Sequence, residues 1–183
     1  MQRLGLGLGF VFLVHSFSAL ADDSNQSSYA ISFGVGSGAG ISVKKVLSDD
    51  NQVFFGFGLS KGQYESEYQG TTSSHSSNGY SIIAGTRHFL VKERLSKFVQ
   101  LSITGGRSTS SGDGYTSTGK GVSVTPGYGL EYFIASDLSI EGVAGLSFTY
   151  SNSSSNSNGV AQGSSTSRYI SFPTVGTAIT YYW

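Results

Sequence analysis

Few residues of this chain are of the types that do chemistry, and their spacing excludes more than it offers. Among 183 residues there are 11 acidic and 11 basic side chains, three histidines and no cysteine. Without cysteine there is no thiolate nucleophile, no disulfide and no Cys-ligated zinc. The run "GYTSTGKG" (Gly114 to Gly121) has the outline of a phosphate loop. It ends in Gly where Ser or Thr should hold Mg²⁺, and an alternating strand pattern follows it instead of a helix. "GVGSGAG" also lacks a following helix, so it is not a dinucleotide fingerprint. Of the histidines, His15 lies in the N-terminal segment just past its apolar run, His75 in "SSHSS", read as a solvated loop, and His88 on an outward strand face. No His, Asp and Glu cluster has metal-ligand spacing, and Asp49-Asp50 reads as a polar turn before it reads as a calcium site. The expectation is no catalytic residue, no cofactor and no metal.

Four other charged residues are placed more tellingly: Lys44, Arg87, Glu131 and Glu141. Each interrupts the small, polar side of a segment that alternates with period two. In "KGVSVTPGYGLEYFIA" one face carries Val122, Val124, Pro126, Tyr128, Leu130, Tyr132 and Ile134, and the other carries Gly, Ser, Thr and Glu131. In "LSIEGVAGLSFTY", Leu138, Ile140, Leu146, Phe148 and Tyr150 share a face opposite Ser139 and Glu141. Successive side chains of a strand point to opposite faces, so both are strands with one apolar side.

The same reading predicts eight strands near 28–37, 40–48, 53–68, 79–91, 97–112, 120–134, 138–154 and 167–183. Residues 29–47 alternate without a break and could form one strand. Gly36, Gly38 and Gly40, which can take the positive φ of a tight turn, favour a hairpin. "SDDNQ", "KERLS" and "ASD" are short connections. "QGTTSSHSSN", "DGYTSTG" and "SNSNGVAQGSST" are long and nearly free of apolar residues. Short and long links taking turns between strands of about ten residues mark an outer-membrane barrel, with turns on the periplasmic side and loops outside.

Composition agrees. Only 12% of residues are charged and 13% are aromatic, with 26 glycines and a formal net charge of zero. Neutrality argues against nucleic acid, which needs clustered cations. The first residues combine Arg3, an apolar run from Leu4 to Val14 and the small-residue motif Ala19-Leu20-Ala21. That is a cleavable secretory signal over residues 1–21, with its apolar run too short to span a membrane, and residues 22–183 form the exported domain. A soluble sandwich would show Lys and Glu on its polar faces, whereas here they carry Gly, Ser and Thr, which suits the narrow inside of a small barrel. Aromatics gather at the predicted strand ends: Phe98, Tyr132 and Trp183 near the turns, Tyr80, Tyr150 and Tyr169 near the loops. This is the pattern of an aromatic girdle.

The fold class expected is therefore all-β, an eight-stranded antiparallel up-and-down transmembrane β-barrel, monomeric, in the outer membrane of a Gram-negative cell. Lys44, Arg87, Glu131 and Glu141 then point into the lumen at similar depth. A three-residue "ASD" turn sets Glu131 opposite Glu141, a costly like-charge pair. Arg87 is the expected bidentate bridge, with Lys44 balancing the second carboxylate, as a neutral structural plug.

The closing strand ends "TAITYYW", with Ile179, Tyr181 and Trp183 on one face. This resembles the C-terminal signature that bacterial outer-membrane barrels present to the barrel assembly machinery. "GTRHFL" and "GYGLEYFI" resemble segments of the opacity-protein and OmpX-like small barrels. The resemblance implies outer-membrane lipid and lipopolysaccharide as surroundings, and a host or surface ligand met through the loops, hence an adhesin-like role. It carries no loop residue over. Other small barrels transport small hydrophobic compounds, which is the alternative. Some modify lipid A with a Ser–His pair in the C-terminal third, but no His follows His88 here.

Overall fold

Strands rich in Gly, Ser, Thr and aromatics, each with one apolar face, can bury that face only against another sheet or against lipid. In the computed structural model, which describes residues 29–36, 40–68, 71–112 and 114–183, they close into a ring. The strands are β1 (Tyr29–Gly36), β2 (Gly40–Ser48), β3 (Asn51–Tyr68), β4 (Thr71–Val91), β5 (Leu95–Gly112), β6 (Tyr115–Phe133), β7 (Leu138–Ser157) and β8 (Val160–Tyr182). Every neighbour is antiparallel, and β1 pairs with β8 to complete the circle. The seam ends in a reciprocal backbone pair between Tyr29 and Trp183. The predicted signal peptide, with Ala19 and Ala21, lies outside the described residues.

β1 and β2 pair antiparallel, from Tyr29 with Lys45 to Gly34 with Gly40, as two strands and not one long strand; Gly40, at φ 144°, opens β2. The three long connections are the main departure from the sequence reading. Most of 69–78, 113–119 and 155–166 continues the ladders: β3 and β4 pair up to Tyr68–Thr71, β5 and β6 up to Gly112–Tyr115, and β7 and β8 up to Ser157–Val160. His75 accordingly lies on β4, opposite Tyr64, and not in a loop. Backbone ladders do not need apolar side chains, so strands persist where the sequence contrast vanishes. Only the β1–β2 hairpin stays low. The ring is complete up to the Gly36–Gly176 and Ile41–Phe57 pairs, and above them six strands stand taller than the other two.

The polarity is inverted relative to a water-soluble core. Ser96, Glu131, Ser139 and Thr180 are fully buried, whereas Phe55 and Leu59 are 59% and 75% exposed on the outer wall. On β6 the outward apolar run from Val122 to Ile134 covers about 40 Å of strand at ~3.3 Å per residue, or roughly 30 Å of height at a 40° tilt.

Candidate functional site: a charged floor beneath an open cup

The lumen holds the four charges that the alternation aimed inward. Register sets Glu131 directly opposite Glu141 across β6 and β7. Both cations converge on one of them: Lys44 Nζ and Arg87 Nη1 each lie 2.7 Å from Glu141 Oε2. Arg87 thus uses a single nitrogen on Glu141 instead of a bidentate fork, and that nitrogen stands 3.6 Å from Glu131 Oε2. Lys44 does not balance Glu131. Glu131 is held by hydroxyls, accepting from Ser139 Oγ at 2.5 Å and from Tyr182 Oη at 2.6 Å. Those two donors explain how like charges coexist face to face: one carboxylate takes the cations and the other takes neutral donors. Lys44 also donates to Thr180 Oγ1 at 3.1 Å, which pairs with Ser32 Oγ at 2.6 Å, tying β2 to β8 and β1.

The guanidinium of Arg87 lies 3.7 Å from the centroid of Phe98, a cation–π stack, and Phe98 meets Phe89 edge-on at 5.7 Å. Phe98 is fully buried and belongs to this layer, not to the outer girdle where the sequence reading put it. Its place is made by Gly129, its cross-strand partner, where a Cβ would collide with the ring. Three buried atoms of the floor, Arg87 Nε, Gln52 Oε1 and Glu131 Oε2, have no hydrogen-bond partner among the described residues.

Above the floor is a cup of about 300 Å³, with Lys44, Arg87, Gln100 and Glu141 at its base. Its wall mixes Phe54, Ile83 and Val143 with Ser and Thr hydroxyls, and Tyr169 stands at its mouth. The sequence pattern predicts Tyr169 at the girdle. A register shift between Gly145/Ser147 on β7 and Thr174/Ser171 on β8 reverses the alternation, so Tyr169 shares the inner face with Thr149. Of the other girdle residues, Tyr80, Tyr132 and Tyr150 are exposed on the outer wall, and Trp183 stacks on Tyr181 at 6.3 Å. Ile179 and Tyr181 face outward beside it. His88 is exposed near the short turns, 3.1 Å from Asn51 Oδ1. Among the described residues no three His, Asp or Glu converge as a metal site.

The sequence reading missed Ser139 and Tyr182. Tyr182 was findable: if Tyr181 and Trp183 face out, the residue between them faces in.

The architecture has solved counterparts. A major outer membrane protein of Thermus thermophilus superposes with a TM-score of 0.54 at 11% identity, covering 85% of this chain and 98% of that one. The fold is that of a small outer-membrane β-barrel. CarO of Acinetobacter baumannii (TM-score 0.45, 10% identity, 86% and 98% covered) and Ail of Yersinia pestis, the attachment invasion locus protein (0.40, 18%, 84% and 92%), are more distant in shape. No protein-family model matches the sequence, and no curated protein does.

Proposed function

We propose that this chain is a monomeric outer-membrane protein that displays a polar contact surface, an adhesin-like role, on a barrel locked by its own charges. The outward apolar band is the support for membrane insertion, because water would penalise so much exposed Leu, Ile, Val and Phe. Export through residues 1–21 with cleavage after Ala21, and delivery to the barrel assembly machinery by Ile179, Tyr181 and Trp183, complete the reading. In it, Lys44, Arg87, Glu131 and Glu141 serve structure.

One observation carries the display role. The β3–β4, β5–β6 and β7–β8 hairpins rise beyond the apolar band as paired strands; β4 to β8 are there mostly Ser, Thr, Asn and Gly, and β3 adds Lys61, Gln63, Glu65 and Glu67. Ordered strands present side chains at fixed spacing, so the entropy of ordering is already spent before a partner arrives. Residues 69–78 and 155–166 replaced by short turns should abolish adhesion to host cells or matrix. Heat-dependent gel mobility, the mark of a folded barrel, should be retained. Full adhesion by the trimmed barrel would reject the role.

The cup favours a second reading, uptake of small hydrophobic compounds through the low side of the wall above β1–β2. Liposomes carrying the protein should then take up such a compound faster than empty ones. The charged floor opposes straight passage along the axis.

A further inference from the structure

The outer wall carries a feature that neither adhesion nor closure of the barrel uses. On β5 and β6, Arg107 and Lys120 are direct cross-strand partners, both exposed and on the lipid-side face. Like charges set opposite each other cost stability unless an anion lies between them. No carboxylate of a described residue lies within 4.0 Å of either, and neither takes part in the lumenal ion pairs. Glu65, an acid of the taller wall, sits two strands away and higher, opposite Ser74 on the β3–β4 hairpin.

The register shows what surrounds the pair. Its own rung reads Leu59, Tyr80, Arg107, Lys120, Asn152 and Thr166 around the wall. The rung above offers Asn78, Thr109, Thr118 and Ser154, all hydroxyls and amides. The rung below offers Ile82, Gly105, Val122 and Tyr150, with Arg168 over the Tyr150 ring at 5.7 Å. Gly105 has open space where a Cβ would stand. The outward face beneath the cations is therefore a shallow apolar trough between Ile82 and Val122. From bottom to top the wall presents grease, paired cations and sugar-like hydrogen-bonding groups.

We propose that this three-tier strip on β4–β7 is a binding site for a phosphorylated glycolipid of the outer leaflet. The phosphate lies between Arg107 and Lys120, one acyl chain fills the trough at Gly105, and the sugar meets Asn78, Thr109, Thr118 and Asn152. A simple anionic phospholipid satisfies the cations and the trough but leaves the upper tier unused. The inference rests on the membrane reading above.

The test uses the whole folded protein in a mild detergent, with native mass spectrometry of bound lipid. The probes are bisphosphorylated lipid A, phosphatidylglycerol and inorganic phosphate. Lipid A should bind with 1:1 stoichiometry and more tightly than either other probe. At about five- to sixfold per cation near a charged surface, Arg107→Gln with Lys120→Gln should weaken it roughly thirtyfold. Gly105→Leu, which fills the trough and keeps both cations, should weaken it as well. Lys97→Gln, an outward cation at the opposite end of the band, should leave it unchanged. Equal lipid A affinity in the double variant, or phosphatidylglycerol or phosphate binding as tightly as lipid A, would overturn the site. A chain that is soluble without detergent would overturn the membrane reading itself, a result separable from failure to bind.

Discussion

Glu141 takes two buried cations at 2.7 Å while Glu131, its neighbour across the ladder, takes neutral hydroxyls. Neutralising the two carboxylates must therefore have unequal effects. Glu141→Gln leaves Lys44 and Arg87, at 2% and 3% exposure, with Glu131 as their sole counter-charge, and Glu131 reaches only Arg87, at 3.6 Å. Removing one partner of a buried ion pair typically costs about 3–5 kcal/mol, because the other charge is stranded. Glu131→Gln keeps an oxygen that can still accept from Ser139 and Tyr182. It loses the charged character of those bonds and the long contact to Arg87, a cost of about 1–3 kcal/mol. Removing the stranded ammonium as well, Lys44→Met with Glu141→Gln, returns the floor to one cation and one anion. That double variant should be more stable than Glu141→Gln alone. The assay is urea unfolding in phospholipid bilayers followed by Trp183, the single tryptophan, which sits at the seam where β8 meets β1. The reasoning fails if Glu131→Gln costs as much as Glu141→Gln, or if adding Lys44→Met deepens the loss.

Gly129→Ala drives a methyl into the Phe98 ring and should destabilise by about 1–3 kcal/mol, whereas Gly142→Ala, which meets only open space, should stay within about 1 kcal/mol of the parent in the same urea titration. Deleting Trp183 removes its stack on Tyr181 and its backbone pair with Tyr29, and should lower the yield of heat-resistant folded barrel in cells, read as the ratio of the two gel bands. The exported product should have an intact mass starting at Asp22; retention of residues 1–21 would contradict the signal reading.

What could be read in advance followed from period two. Once Val122 through Ile134 were assigned outward, Glu131 had to point inward, and a short turn had to set it against Glu141; the ladder pairs the two. Partner choice within the floor was not legible, because it depends on strands far apart in sequence: Tyr182 reaches Glu131 across 51 positions and Lys44 reaches Glu141 across 97. Residues 71–78, 115–119 and 160–166 read as loops from the sequence, although they extend β4, β6 and β8, because Ser, Thr and Asn on both faces erase the alternation that reveals a strand. Phe98 was placed outside because an aromatic near a turn suits a girdle as well as a packed floor; only the bare Gly129 opposite, seen in register, separates the two. Tyr169 turned inward because a register shift at residues 171–174 of β8 reset the count.

The unequal height of the wall gives this cylinder a compass bearing. A ring of level strands would look the same to its surroundings from every azimuth, but here β1 and β2 end early and leave a saddle in the rim, with the flanks of β3 and β8 standing free on either side. Rotation about the long axis therefore ceases to be neutral: whatever gathers at the saddle meets an entrance, and whatever gathers on the far side meets a fence.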